Sequence, residues 1–343
     1  MVFSSSSFLT ITNLKYSTRR NWVYTIERKF NLGTSLKWDD KRYYSLNSFL
    51  KKKFGEKVFK ISLDAGFSCP NRDGTISDIG CIFCSERGSG DFAGDRKFSI
   101  DKQFQDIKNM MSKKWKNGKY MAYFQAYTNT YGDINVLKNK YDEALRQEGV
   151  VGLAIATRPD CLEDEVLKLL DEYNNRTYLW IELGLQTAND NTAKIINRGY
   201  NLNTFEKALE KLRRRNINVV VHTIFGLPGE NEEDMLNTIK YISNKDIQGI
   251  KMHLLHLMKH TPLVKLYEAH KLNFMSKEEY VDIVCKAITL LREDIVIHRL
   301  TGDAPRNLLI EPQWSIKKWE VLNAINDKLE SEKLYQSLYF HTN

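Results

Sequence analysis

The chain has 343 residues, 42% of them hydrophobic and 27% charged, enough to bury the core of one α/β barrel or of two smaller domains. No apolar run approaches the ~20 residues of a membrane-spanning helix, so a spanning segment is excluded. Fifty-one Lys and Arg against 43 Asp and Glu leave a net charge of +8, which suits a polyanion such as RNA and equally a solvated, lysine-rich surface.

The first 35 residues differ from the rest. They are rich in Ser and Thr, carry Lys15, Arg19 and Arg20, and have no acidic residue before Glu27. Such composition fits an organellar transit peptide, a disordered tail or translated sequence upstream of the true start, and it lacks the apolar core of a secretory signal. The compact pattern begins near Trp38. Residues 1–37 are therefore expected to be a poorly ordered or non-native extension. Residues 38–310 are expected to form the core domain, and 311–343 a helical extension packed on it.

From residue 57 the chain alternates short β-like runs with amphipathic helical runs, the pattern of βα units around a parallel sheet. The first predicted strand is 58–63. It is followed by a Gly-, Asp- and Asn-rich loop, "ISLDAGFSCPNRDGTISDIGCIFC", which holds Cys69, Cys81 and Cys84 as C-x11-C-x2-C, three of the chain's five cysteines. Three thiols on one loop cannot all pair as disulfides, and nothing suggests an oxidising compartment, so a cytoplasmic location is expected. They suit a metal. Structural zinc wants four protein ligands, and the nearest histidine is His222. An iron–sulfur cube held by three thiolates would leave one iron open to an outside ligand. Unliganded structural thiols are the plainest alternative.

Further strands are predicted at 120–125, 150–156, 178–185, 218–225 and 249–255. Between them, Phe104, Ile107, Met111 and Trp115 recur at helical spacing, as do Val166, Leu167, Leu170 and Tyr173. Phe205, Ala208, Leu209 and Leu212 do the same, with Asn203 and Glu206 as a candidate capping pair. The run Arg213–Arg214–Arg215 suits that helix's C-terminus without any nucleic acid. The stretch 295–300 can add a strand, and 277–292 and 316–330 read as outer helices. The expected fold is α/β: a partial (β/α)6 barrel with additional C-terminal helices, open on one side.

Active sites of parallel barrels lie at the C-terminal ends of the strands. The cysteine loop falls on that face. So do Gln125, Tyr127 and Thr128 after the second strand, and Thr157, Arg158 and Asp160 after the third. Glu182 and Gln186 come with the fourth, and His222, Thr223 and "GLPGE" (226–230) with the fifth. Each has a bland reading alone: Glu182 as a hydrogen-bonded structural carboxylate, His222 as a satisfied core histidine, the glycines as a turn.

Taken with the cysteine loop, the segments "TRPDCL" (157–162), "ELGLQTANDNTAKIINRG" (182–199) and "FGLPGE" (225–230) resemble the radical S-adenosylmethionine (SAM) superfamily over roughly residues 40 to 310. The likeness runs to a bacterial family of similar length and, more distantly, to the radical-SAM domain of the Elongator catalytic subunit and to oxygen-independent coproporphyrinogen oxidase. The resemblance implies an enzyme in which Cys69, Cys81 and Cys84 hold a [4Fe-4S] cluster. S-adenosyl-L-methionine chelates its open iron and is cleaved by one electron to a 5′-deoxyadenosyl radical. A one-electron reductant of flavodoxin or ferredoxin type is implied as partner. By the same resemblance Gln186 meets the SAM ribose, Arg198 the SAM carboxylate, and the backbone from Thr223 to Gly226 the adenosyl part. Three departures from the family pattern stand out. The first cysteine gap is longer than the usual three residues. "FQAYTNTY" (124–131) replaces the Gly-Gly-Glu that holds the SAM amine, leaving Gln125 and Thr128 as candidate substitutes. Ala156 replaces an acidic residue at the third strand's end. Cys161 and Cys285 stand alone; Cys161, just past the third strand, is a candidate catalytic thiol that returns a hydrogen atom to a substrate radical, or else an inert loop cysteine.

Three functions follow as expectations: a radical-SAM enzyme acting on RNA, a tRNA base foremost; a radical-SAM enzyme acting on a small metabolite or tetrapyrrole; or a zinc-containing RNA-binding protein without redox chemistry.

Overall fold

The computed structural model describes residues 38, 39, 41–113 and 118–341. The expected N-terminal extension (1–37) and Trp115 lie outside the described residues. In chain order the elements are α1 (Leu46–Phe54), β1 (Val58–Leu63), α2 (Ile100–Ser112), β2 (Lys119–Phe124), α3 (Ile134–Leu145), β3 (Val150–Thr157) and α4 (Asp164–Arg176). Then come β4 (Tyr178–Gln186), α5 (Asp190–Ile195), α6 (Leu202–Arg213), β5 (Asn218–Phe225), α7 (Glu232–Ser243) and β6 (Gly249–Leu254). Last are β7 (Leu257–Met258), α8 (Leu263–Glu268), α9 (Lys277–Leu290), β8 (Val296–Arg299), β9 (Leu309–Glu311) and α10 (Lys318–Ser331).

Seven strands pair in parallel in the order β1-β2-β3-β4-β5-β6-β8, and the sheet curls into a partial barrel. The six expected strands form within one residue of their expected ends, and β8 is the seventh, at the stretch read as a further strand. Among the described residues β1 and β8 do not pair with each other, so the barrel stays open. The strands are apolar on both faces because helices cover one and the barrel interior the other. Ile61, Ala122, Phe124, Leu153, Ile155, Ile181, Val219 and Val221 are buried against the helices. The inner set is Met121, Tyr123, Ala154, Ala156, Trp180 and Val220.

That inner cluster also includes Leu50 of α1, so α1 covers the end of the barrel where the strands begin. Its N-terminus is set by Ser45, whose side chain accepts from Ser48 N, and by Tyr44, whose carbonyl accepts from Ile297 N at 2.7 Å. Helix α6 starts two residues earlier than the pair Asn203/Glu206 suggests. Asn201 is the cap, accepting from Thr204 N, and Glu206 binds Lys245 at 2.6 Å and Tyr241 at 2.9 Å. An Asn before the first helical residue leaves a backbone donor in reach, which one inside the helix does not.

Helix α10 buries Val321, Ile325 and Leu329 in the main core, and Lys328 bridges to Asp282 of α9 at 2.8 Å. Strand β9 pairs antiparallel with β7 and runs across the division expected at residue 310.

Candidate active site

A cavity of about 480 Å³ opens at the C-terminal ends of the strands. The cysteine loop forms one wall, and Cys69, Cys81 and Cys84 all line it. Two buried residues tie the base of this long loop. The Asp64 carboxylate takes the Arg96 guanidinium at 3.1 and 3.2 Å, and Gln103 bonds both the N–H and the C=O of Asp64 at 2.9 Å. Its tip is stitched to the turn before α6. Asn71 donates to the Asn197 carbonyl at 2.7 Å, and Asn197 donates to the Gly80 carbonyl at 2.8 Å. Gly199 sits at φ +83 where a Cβ would come within 2.8 Å of Asn71 Oδ1, so only glycine lets the two segments close.

Burial and the neighbouring Cys84 push the Cys81 thiol up to about 12. Burial also raises Cys84, opposed by the Arg72 guanidinium. A thiol so placed is neutral until a cation is bound beside it. No three or more His, Cys, Asp or Glu side chains among the described residues converge on one metal-ion position. Three soft sulfur donors along one cavity wall suit a thiophilic metal or an iron–sulfur cluster.

Gln125, Thr128 and Gln186 line the same cavity. The Gln125 amide donates to the Ser89 carbonyl at 2.8 Å, and the Thr128 N–H to the Ser68 carbonyl at 3.2 Å. Gln186, at φ +62, accepts from the Tyr200 hydroxyl at 3.1 Å. Four expected site residues lie elsewhere. Thr223 is buried and its hydroxyl donates to the Lys251 carbonyl at 3.3 Å; the cavity is lined by the next residue, Ile224. Gly226, at φ +83, shapes the turn into α7, its N–H on the Met235 sulfur, and lies off the cavity wall.

Arg198, expected at the SAM carboxylate, is not among the residues that line the cavity. It is 0% exposed, and its fork is consumed by the protein. It donates to the carbonyls of Leu185, Thr187 and Tyr200 at 2.5, 2.7 and 2.9 Å and to Asp190 at 3.2 Å. Its work is to hold the chain leaving β4. Arg198→Ala is expected to cost about 2–4 kcal/mol in a urea titration, because three buried carbonyls lose their donor. SAM affinity of the folded variant should stay unchanged.

Cys161 is likewise off the cavity. Its thiol is 6% exposed, points at Asp160 Oδ1 3.8 Å away, and is raised by burial and by that carboxylate. Burial keeps the thiol in its neutral S–H form. Cys161→Ser is expected to retain iron and SAM cleavage at wild-type levels, checked by metal analysis and by 5′-deoxyadenosine release. Cys285 is buried against α10, its thiol on the Ile325 carbonyl.

The inner face of the strands holds a charged cluster in which Lys251 and Tyr123 had not been expected. Lys251 on β6 is 2% exposed, with its ammonium on Glu182 Oε2 and, at 3.2 Å, on the Tyr123 hydroxyl. His222 Nε2 meets the same carboxylate oxygen at 2.9 Å, and Trp180 Nε1 donates to the other at 3.0 Å. Glu182 is burdened by desolvation, yet Lys251 and His222 hold it well below the usual carboxylate range. Desolvation and Lys251 push His222 down to about 4, so it is a neutral imidazole. The signal was present in "GIKMHLL" (249–255), where Lys251 and His253 alternate with Ile250, Met252 and Leu254. In a strand that period puts the polar pair on the inner face.

Comparison with known families matches residues 69–242 to the radical SAM superfamily and residues 247–331 to the radical SAM C-terminal domain. Protein YtqA of Bacillus subtilis is 52% identical over 88% of this chain and 94% of its own length. The tRNA uridine(34) acetyltransferase of Methanocaldococcus infernus is 25% identical over 47% of this chain, which spans 30% of that protein. The solved structure of Methanocaldococcus infernus Elp3 with an N-terminal deletion superposes with a TM-score of 0.63 at 15% identity, over 81% of this chain and 64% of that one. That last likeness is one of fold.

Proposed function

The chain belongs to the radical SAM superfamily of enzymes, and on that premise we propose that Cys69, Cys81 and Cys84 hold a [4Fe-4S] cluster at which S-adenosyl-L-methionine is reductively cleaved. One observation carries the reading: three thiols from one loop line a single cavity at the strands' C-terminal ends. Cluster and SAM, when bound and reduced, supply a 5′-deoxyadenosyl radical able to abstract a substrate hydrogen. The protein's own contribution is placement. Gln125 and Thr128 stand where the SAM amine is expected, and Gln186 offers its amide to the ribose. Ile224, Leu255 and Met258 give the cavity an apolar side that keeps water from the reacting centre. The electron comes from a flavodoxin- or ferredoxin-type reductant, in the cytoplasm. No helix among the described residues is long and apolar enough to cross a membrane.

The substrate we propose is a tRNA base. The likeness to the tRNA uridine(34) acetyltransferase and the net charge of +8 both support a polyanion. The test is anaerobic turnover with deuterium-labelled tRNA, followed by mass spectrometry of the 5′-deoxyadenosine. Label in that product supports the assignment. Unlabelled product from tRNA, with label arriving from a small metabolite or tetrapyrrole, transfers the enzyme to that class. Protein that carries zinc and no iron sinks the redox reading altogether.

A further inference from the structure

The cavity that holds the cysteines is also lined by Lys251 and Arg299, which are only partly paired. The Lys251 and Lys60 ammoniums lie 4.4 and 5.0 Å from the centre of the Tyr123 ring, and Glu182 is the carboxylate that neutralises them. At the cavity rim Arg299 reaches Asp303 at 3.3 Å, but Lys318 holds that same carboxylate at 2.7 Å. Lys251 and Arg299 line the cavity, and each shares its carboxylate with a second cation outside the lining, Lys60 and Lys318 respectively. Burial lowers Lys60 and Lys251 from their ordinary range, and the Glu182 carboxylate opposes it. An independent observation points to the same place. His253 Nε2 and His256 Nε2 are buried without a hydrogen-bond partner, and both side chains line the cavity. Buried polar atoms in native proteins are ordinarily paired, so two orphans in one cavity mark positions that a ligand completes. Burial keeps both imidazoles neutral, leaving an N–H to give or a lone pair to receive.

We propose that this part of the cavity is the substrate-anchoring subsite and takes an oxyanion of the substrate, a carboxylate or a phosphate. Lys251 and Arg299 are its charge partners, and His253 and His256 its hydrogen-bond partners. The proposal rests on the enzyme reading above and adds to it the chemical class of the group that enters. A cationic group is excluded from it by the same excess of ammonium and guanidinium charge. An oxyanion gives Lys251 and Arg299 a second negative partner, in a cavity where low dielectric strengthens the attraction. Arginine's fork matches the two oxygens of either group.

The test is calorimetric titration of the full chain with inorganic phosphate and, separately, with acetate, at constant ionic strength and with and without a reconstituted cluster. Saturable binding of one probe is expected, weakened about tenfold or more in Lys251→Met and in Arg299→Gln. Arg299 has a side chain 30% exposed, so its variant remains informative if Lys251→Met fails to fold. Lys265→Met, on α8 and outside the cavity lining, should bind as the unsubstituted protein does. A preference for phosphate points to a nucleotide-like substrate, and a preference for acetate to a carboxylic acid. If neither probe binds, or if Lys251→Met and Arg299→Gln bind like Lys265→Met, the subsite is overturned. Iron content and SAM cleavage on the same samples are read separately, so loss of the subsite with an intact cluster removes this proposal and leaves the enzyme.

Discussion

Replacing any one of Cys69, Cys81 or Cys84 with alanine is expected to abolish both iron retention and SAM cleavage. A cube left with two protein thiolates has two irons open to solvent and chelators, and should be lost on purification. Folding should survive. The loop that carries the thiols is pinned by contacts independent of sulfur: Asp64 to Arg96 and Gln103, and Asn71 and Asn197 to backbone carbonyls. Cys285→Ala, in the α9–α10 contact, is the matched control and should keep a full complement of iron at some cost in stability. The measurements are iron and sulfide content of anaerobically reconstituted protein, with 5′-deoxyadenosine release. A triple Cys69/Cys81/Cys84 alanine variant that still holds four irons refutes the assignment.

The second large effect is expected inside the barrel. Glu182→Ala should lower unfolding free energy by about 3–5 kcal/mol, because it leaves the Lys251 ammonium buried without its counter-ion. The double variant Glu182→Ala/Lys251→Met should recover much of that loss, since methionine fills the lysine's space without a charge. Urea titration checks both. A loss below about 1 kcal/mol in the single variant means that Lys251 is neutral in the folded protein, and the ion pair would then be withdrawn.

The same cluster sets an acid limit. Glu182 has a folded value below its unfolded one, so its contribution is present above the ordinary glutamate range and lost as pH falls through the folded value. His222, held to about 4, is neutral in both states above its ordinary value of ~6.5. Between those values the unfolded chain takes a proton that the folded chain refuses, so stability declines as pH falls from about 6.5 towards 4. His253, His256 and His298 are buried and lowered in the same direction and steepen the decline. Denaturant midpoints at pH 7, 5.5 and 4.5 measure it.

The sequence alone determined the barrel and the cysteine centre. Both are local signals: apolar runs of strand length alternating with helical periodicity, and three cysteines within sixteen residues. All six strand ends came within one residue. The inner wall was decided only by the tertiary structure. Glu182 and Lys251 lie 69 residues apart, and neither declares a partner along the chain. They meet because β4, β5 and β6 are neighbours: His222 and Lys251 are register partners, and Glu182 lies two residues before the β4 position that pairs with His222. Arg198 is the converse case. Its motif suggested a ligand contact, and the fold bonds its fork to three carbonyls of the chain around it. Cys161 follows the same logic. Its position after β3 is legible in the sequence, but the direction of its thiol is set by the 3-10 turn Pro159–Cys161, which points it at Asp160 and away from the cavity. Spacing along a chain reports which residues share a face. Which of them keeps a free atom there depends on what the rest of the fold has already bonded.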